Sequence, residues 1–330
     1  MSDGDKYFIV SIDVEEDMPR WLPERVITTE NIKALPRFQA MCDRFEVKPT
    51  YLVNYPVVKN HESLGILQNL SKTSSCEIGA HLHPWNTPPL TPGEELDARF
   101  FSQCSPKEAA SKLRTLTQAI EDGFGVRPVS FRAGRFGLNQ DVMRCLINEG
   151  YEVDSSVTPH CDWSPNGGPN FEHFPLEPFT FKDRDQHVLT EVPVTIAFDR
   201  KLPMIFERLY HQLPEKLRIK AILSHLKILR LIWLRPTLAS EDEMKDLVFH
   251  LLKRGVTIFN MMFHSSELWP GTSPYFKTQL EVDFLFSKLE KMFLFFVGQM
   301  HCKSVTLSQI GPIPWGRSDR ELLQKDLTLI

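Results

Sequence analysis

The chain has 330 residues, of which 42% are hydrophobic and 24% are charged. This is a globular composition, long enough for one large α/β barrel or two smaller domains. The formal net charge of -4 gives no broad basic field of the kind that nucleic-acid-binding proteins carry, so we expect no nucleic acid partner.

Targeting signals and cross-links are not expected either. The N-terminal residues have no basic start, and the apolar run that follows them is too short for a signal peptide. No stretch reaches the roughly 18 uncharged apolar residues of a spanning helix. The six cysteines have no C-x-x-C spacing, which favours reduced, buried thiols; they are at positions 42, 76, 104, 145, 161 and 302. We therefore expect a cytosolic protein.

Predicted strands and helices alternate along the chain in the order of parallel βαβ units. Helix starts are indicated by Pro36 and by capping boxes that begin at Ser105 and Ser240. In such folds the chemistry lies at the carboxyl ends of the strands, where we expect two long loops, residues 84–103 and 158–184, to line a cleft. Strands are predicted over residues 7–12, 50–53, 77–82, 129–132, 152–154, 189–195, 231–234, 256–263 and 304–307.

The first predicted strand ends in the acidic stretch S-I-D-V-E-E-D, residues 11–17. Asp13 and Glu15 are two positions apart, so they face the same side of an extended chain, whereas Glu16 faces the other side or begins the loop. Carboxylates this close raise one another's pKa unless a cation or hydrogen-bond donors hold them. The stretch therefore predicts either a solvent-screened cluster or a bound positive group.

The third predicted strand ends in the stretch C-E-I-G-A-H-L-H-P-W, residues 76–85. His81 and His83 share one face by the same period of two. Two imidazoles and a carboxylate at one barrel mouth are typical of a zinc-type site with an open position for water.

Two further strands end in charged or polar residues. Arg132, in the stretch S-F-R-A-G-R-F-G, brings a guanidinium that can form a fork with a carboxylate, and its alternative is a structural pair with Asp154. His264 follows another apolar strand, where a histidine held within the core is the alternative. We expect Arg135 and Phe136 to line the cleft and contact substrate.

In these motifs the sequence resembles a divergent branch of the NodB-type polysaccharide deacetylases, carbohydrate esterase family 4. The resemblance runs from Ile9 to about Leu307. The residues that match the family's acid, histidine, arginine, aspartate and late-histidine motifs, in order, are Asp13 with Glu15, His81 with His83, Arg132, Asp154 and His264. The resemblance implies a distorted (β/α)7 barrel with long loops over the carboxyl ends of the strands. One domain would span residues 1–330, with an insertion at 201–235 and a C-terminal tail at 308–330.

Two features depart from the family's pattern. The family usually has adjacent acids, base then ligand, whereas this chain has D-V-E-E, so either Glu15 or Glu16 could be the metal ligand. The family's second histidine usually lies four residues after the first, and that position is Trp85, for which we expect a place in the cleft and contact with substrate. His83 is the predicted substitute.

The resemblance implies a metal-dependent hydrolase that removes acetyl from an N-acetylated sugar or glycan. Glu15, His81 and His83 would bind a divalent cation, for which zinc is the first expectation although other first-row ions suit these ligands.

The catalytic residues follow from the same motifs. Asp13 would be the base, held by Arg132, and His264 the acid, with Asp154 to orient it. Two other functions stay open: an amidase for a small non-sugar amide or cyclic imide, and an inactive carbohydrate-binding homologue.

The segment at residues 215–236 is basic and amphipathic. Such a run can rest on an anionic membrane, here the inner face, or pack its apolar stripe on the barrel. Peripheral membrane contact through this segment is one expectation, and packing on the barrel is the other.

Overall fold

The computed structural model describes residues 5–182, 187–199 and 230–310. The strands in these residues are β1 (Tyr7–Val14), β2 (Pro49–Val53), β3 (Glu77–Leu82), β4 (Ser130–Ala133), β5 (Val153–Asp154), β6 (Phe179–Lys182), β7 (Val188–Glu191), β8 (Ile196–Phe198), β9 (Leu231–Trp233), β10 (Ile258–His264) and β11 (Lys303–Ser304). The α-helices in the same residues are α1 (Leu35–Arg44), α2 (Tyr55–Lys59), α3 (His61–Thr73), α4 (Pro106–Phe124), α5 (Gln140–Asn148), α6 (Glu241–Lys253) and α7 (Gln279–Phe293).

A curled parallel sheet forms the centre of the molecule, in the order β10-β1-β2-β3-β4-β5-β7, with β6 antiparallel at the β7 edge. The chain after β7 returns to β10, because Thr195 N donates to Asn260 O (3.1 Å) and Met262 N donates to Leu234 O (3.3 Å). The sheet is therefore curled into an irregular barrel. The predicted distorted (β/α)7 architecture is confirmed.

Helix starts follow the predicted capping signals. Ser105 Oγ accepts from Glu108 N at the start of α4. At the start of α6, Ser240 and Glu243 bond each other's backbone N-H in both directions. Each bond satisfies an N-H group that has no partner within the helix. The helices pack apolar faces on the sheet, as α4 does with Leu113, Leu116 and Ile120.

The inside of the barrel is polar where β1, β4 and β10 approach one another. Arg132 is fully buried, and its Nη2 donates to Ser11 Oγ (2.6 Å) and Ser155 Oγ (2.8 Å). Asn260 accepts from Ser11 Oγ (2.7 Å) and donates to Ser155 Oγ (2.9 Å). Buried polar groups are tolerated when they are hydrogen-bonded. These contacts therefore fix the position of the Arg132 guanidinium below the open end of the barrel.

Some sequence predictions differ from the structure or lie outside the described residues. The strand predicted at residues 189–195 ends at Glu191, and the short strands β6 and β8 were not predicted. The segment 215–236 is described only from residue 230, where β9 pairs with β8, and the tail 308–330 only to residue 310. In the described part of the chain, none of the helices combines the length and apolar character that crossing a membrane requires.

Candidate metal and catalytic site

The carboxyl ends of β1, β3, β4 and β10 bring the predicted polar residues to one end of the barrel. Register accounts for this, because Asp13 lies opposite His264 on β10, and His81 lies opposite Arg132 on β4. Residues that are 51 to 251 positions apart in the sequence thereby become neighbours. This convergence is a general property of parallel strands in barrels.

Glu15, His81 and His83 form a buried cluster whose ligand atoms all lie within 4.8 Å of one another. The Nε2 atoms of the two histidines are 2.9 Å apart. Glu15 Oε2 lies 3.4 Å from His81 Nε2 and 3.2 Å from His83 Nε2. Three potential ligand atoms therefore face one point.

The tautomers of both histidines follow from their other ring nitrogens. His81 Nδ1 donates to the carbonyl oxygen of Arg132 (3.0 Å), and His83 Nδ1 donates to Glu16 Oε1 (3.2 Å). In the neutral ring, the form that a bound cation requires, each Nε2 is then left with a lone pair, which is the arrangement found for metal-ligating histidines.

A divalent cation fits this donor set. Glu15 Oε1 is buried and has no hydrogen-bond partner among the described residues, and an unpartnered buried carboxylate oxygen is costly unless a cation or donor meets it. Two imidazoles with one carboxylate match a three-ligand zinc-type site.

Glu16 has a different environment from Glu15. Its side chain accepts from the side chains of Asn54, Trp85, Asn86 and His83. Burial raises the pKa of Glu16, but the charge of His83 and its hydrogen bond lower it more. Because its oxygens already accept hydrogen bonds from these donors, Glu16 holds the Nδ1 side of the His83 ring. Glu15 is the acid that faces the Nε2 atoms.

The charges in the cluster are strongly coupled. Burial raises the pKa of Glu15, but His264, His81 and His83 together lower it far below the usual range. Burial lowers the pKa of His83, while Glu16 and Glu15 raise it to about 10. The two carboxylates thus create a negative environment that favours a positive group.

Asp13 lies beside this cluster and pairs with Arg132. Arg132 Nη1 donates to Asp13 Oδ1 at 2.7 Å, and both side chains are buried. Burial raises the pKa of Asp13, but the charges of Arg132, His81 and His264 lower it overall. Asp13 is therefore ionised at neutral pH.

His264 faces Asp13 from β10, with Nε2 at 3.7 Å from Asp13 Oδ2. On the other side of the ring, Nδ1 donates to Glu267 Oε1 (2.8 Å). Glu267 is fully buried and also accepts from Arg235 and Thr237. The prediction missed Glu267, although it lies only three residues after His264 in the stretch H-S-S-E-L.

The predicted pairing of Asp154 with His264 is wrong, because each has other partners. Asp154 accepts from Ser156 N (3.0 Å) and Ser156 Oγ (2.8 Å), and it interacts with Glu191, its neighbour across β5 and β7. Its pKa is raised by burial despite these bonds and the charge of Arg132.

The three predicted substrate contacts lie in different surroundings. Trp85 is only 3% exposed, its ring stacks on His83 (4.2 Å between centroids), and its Nε1 donates to Glu16. Because the Trp85 ring is covered by His83 and its neighbours, this corrects the prediction that Trp85 lines the cleft and contacts substrate. Arg135 is exposed, donates to Ala98 O and lies over the ring of Phe100.

Phe136 is half-buried and stacks on Trp163, with 5.9 Å between ring centroids. Contact of Arg135 and Phe136 with substrate stays a prediction.

No family model and no curated protein matches the chain. Solved structures do match at high probability. A protein of Mycobacterium smegmatis assigned to the polysaccharide deacetylases superposes with a TM-score of 0.56 and 14% identity, over 94% of this chain and 91% of that chain. A protein of Pseudomonas aeruginosa PAO1 with the same assignment has a TM-score of 0.56 and 12% identity, over 94% and 90%. PuuE allantoinase has a TM-score of 0.55 and 9% identity, over 94% and 90%. The chain therefore has the fold of the polysaccharide deacetylases.

Proposed function

We propose that the protein is a metal-dependent hydrolase that removes an acetyl group from an N-acetylated sugar or glycan. The observation that carries this proposal is the convergence of the Glu15, His81 and His83 ligand atoms within 4.8 Å. Beside this convergence lie a buried aspartate-arginine pair, Asp13 with Arg132, and His264.

Glu15, His81 and His83 would hold the divalent cation, most readily zinc. Such a cation supplies Lewis-acid chemistry, which activates water at neutral pH and polarises an acyl carbonyl. Glu16 and the carbonyl oxygen of Arg132 would keep both imidazoles in the ligating tautomer.

Asp13 would act as the general base. Its ionisation is maintained by Arg132 at 2.7 Å, and it has a second oxygen, Oδ2, which faces His264. As the oxygen of the attacking water bonds to the amide carbon, Asp13 would take the water proton. Arg132 would hold the carboxylate in place for this transfer, since its other N-H groups are bonded to Ser11 and Ser155.

His264 would act as the general acid. Its Nδ1 keeps its proton and donates it in a hydrogen bond to Glu267. Nε2 is therefore the atom that would exchange a proton in the site. When the C-N bond breaks, Nε2 would protonate the leaving amine, and the acetyl group would leave as acetate. The buried carboxylate of Glu267 would stabilise the charged imidazolium before transfer.

Acetate release from N-acetylglucosamine oligomers tests the proposal. We expect release that stops after chelation and returns on addition of zinc, and we expect Asp13→Asn to abolish most of it while retaining metal. Turnover of allantoin-type amides without acetate release from any N-acetylated sugar would instead support the amidase. Metal binding and oligosaccharide binding without hydrolysis of either substrate class would support the inactive homologue.

A further inference from the structure

Trp21 lies in the loop after β1, against the candidate acid. Its ring is 4.7 Å from the His264 ring, centroid to centroid, and 5.8 Å from the ring of Tyr275. Trp21 is half-buried and Tyr275 is 37% exposed. Two partly exposed aromatic rings thus adjoin the edge of the site at His264.

Backbone and side-chain bonds fix this loop. Met18 N donates to Thr272 O (2.9 Å), and Trp21 N donates to Met18 O (3.1 Å). At the base of the loop, the Asp17 carboxylate accepts from the backbone N-H groups of Glu30 and Asn31, at 3.0 Å each. The position of Trp21 relative to Tyr275 is therefore determined by contacts between the two loops that carry them.

The backbone of Trp21 is strained. Its φ is 53°, in the left-handed region that bulky L-residues rarely adopt. Such a conformation is energetically costly and is concentrated at functional sites and ligand clamps. The ring held at this cost lies over a candidate catalytic histidine rather than in the hydrophobic core.

We propose that Trp21, with Tyr275 packed against it edge to face, forms an aromatic platform on which a pyranose ring of an N-acetylated glycan stacks beside His264. This inference rests on the proposed function. The C-H face of a pyranose matches an aromatic face, while the ring's hydroxyl groups need polar neighbours at the edge. The guanidinium of Arg235 lies over one face of the Tyr275 ring, 5.6 Å from its centroid, and contacts His264 and Glu267, so the platform has a polar border on that side. A polar border suits a sugar better than a hydrocarbon chain.

Calorimetric titration with a tetramer of N-acetylglucosamine tests the platform on zinc-loaded protein. We compare the unmodified protein with Trp21→Ala, Tyr275→Ala and Trp21→Phe, and with Leu22→Ala as the control, because Leu22 is the next residue and is 56% exposed. We expect Trp21→Ala to weaken binding about tenfold or more, which corresponds to about 1.4 kcal/mol. Trp21→Phe should keep most of the affinity, and Leu22→Ala should keep all of it.

A kinetic comparison separates stacking from a catalytic role. Loss of a platform raises KM for the tetramer about tenfold and leaves kcat within a few-fold, since the lost contact is made in the ground state and transition state alike. Hydrolysis of p-nitrophenyl acetate, which has no sugar ring, should fall much less in Trp21→Ala than hydrolysis of the tetramer, and Leu22→Ala should change neither.

Unchanged binding in a folded Trp21→Ala variant would overturn the platform. If that variant does not fold, unchanged binding in Tyr275→Ala has the same meaning. No binding of the tetramer to the unmodified protein would also overturn it, whereas zinc-dependent acetate release from other N-acetylated sugars would still support the proposed function.

Discussion

Three carboxylates within four positions of the sequence have three different environments. Asp13 pairs with Arg132, Glu15 faces the two histidines, and Glu16 accepts hydrogen bonds from donors that include Asn54. All three have a lowered pKa, but different partners outweigh burial in each case. At the scale of the residue, the partners and not the residue type decide which acid can meet a metal and which can take a proton.

The two adjacent glutamates differ in what their amide variants should do. Glu15→Gln removes a charged ligand, and we expect it to abolish stoichiometric zinc binding. Glu16→Gln keeps the ligands but weakens the support of His83, and we expect zinc affinity to fall about 10- to 100-fold. Zinc titration with a competing chelator measures both. The opposite order of effects would make Glu16 the ligand.

Substitutions of His264 and of its partner Glu267 should lower kcat without loss of zinc. His264→Ala is expected to lower kcat about 10²- to 10⁴-fold with zinc still bound, because it removes the proton donor. Glu267→Gln keeps the shape of the side chain but removes the charge that stabilises the imidazolium, so kcat should fall as well and the pH dependence of kcat should change. Glu281→Gln, at an exposed cap of α7, is the control. Loss of zinc in His264→Ala would assign His264 to the metal instead.

The sequence was sufficient to predict which site residues share one face of a strand, since side chains alternate along a strand with a period of two. Asp13 with Glu15 and His81 with His83 share a face, as predicted, because alternation is set by local backbone geometry. The contact between Trp21 and His264 could not be predicted from the sequence, since it depends on how two distant loops pack together.

At the scale of the element, α4 holds the loop that follows the β3 histidines. Lys112 is fully buried, and its Nζ donates to the carbonyl oxygens of Pro84 (3.0 Å), Thr87 (2.9 Å) and Pro89 (2.6 Å). The same loop carries Trp85, which stacks on His83. A lysine on a helix therefore supports a histidine of the site through the loop between them. The prediction placed this helix by its capping box but gave no role to Lys112, because a helical lysine is normally solvated.

Lys112→Met tests this support. The substitution leaves three carbonyl groups without their donor, two of them on the buried residues Pro84 and Thr87, so we expect a loss of about 1–3 kcal/mol in the free energy of unfolding. Zinc affinity should fall with it, because the loop that holds Trp85 and Asn86 loosens. Lys107→Met, at an exposed position of the same helix, should change neither. Unchanged zinc affinity in a destabilised Lys112→Met variant would limit Lys112 to a structural role.

At the scale of the whole molecule, parallel strands gather charged groups both at the open end of the barrel and inside it. Asp154 and Glu191 are neighbours on β5 and β7, and both are buried. Burial and the charge of Asp154 raise the pKa of Glu191 well above its usual range, which favours the protonated form of Glu191 in the folded protein. The resemblance assigned Asp154 to catalysis, and only the three-dimensional pairing with Glu191 indicates a role within the barrel.

Glu191→Gln should therefore be tolerated and should alter the pH dependence of stability. A group with a raised pKa in the fold stabilises fully below its unfolded pKa, and this contribution is lost as the pH rises through the folded pKa. Between pH 5 and pH 9, the Tm of the unmodified protein should fall more than that of Glu191→Gln, whose amide imitates the protonated acid. Glu62→Gln, with an exposed side chain, should behave like the unmodified protein. A strongly destabilised Glu191→Gln variant at pH 8 would mean that Glu191 is ionised in the fold.

Every role proposed for the site depends on Glu15, His81 and His83 binding one divalent cation at the open end of the barrel. Anomalous diffraction at the zinc edge from crystals grown with zinc tests it most directly. We expect one fully occupied peak within about 2.0–2.2 Å of a Glu15 oxygen and of both Nε2 atoms, with Asp13 and His264 outside the ligand set. No peak in the cluster under zinc loading, or a peak bonded to Asp13 or Glu16 in place of Glu15, would contradict it.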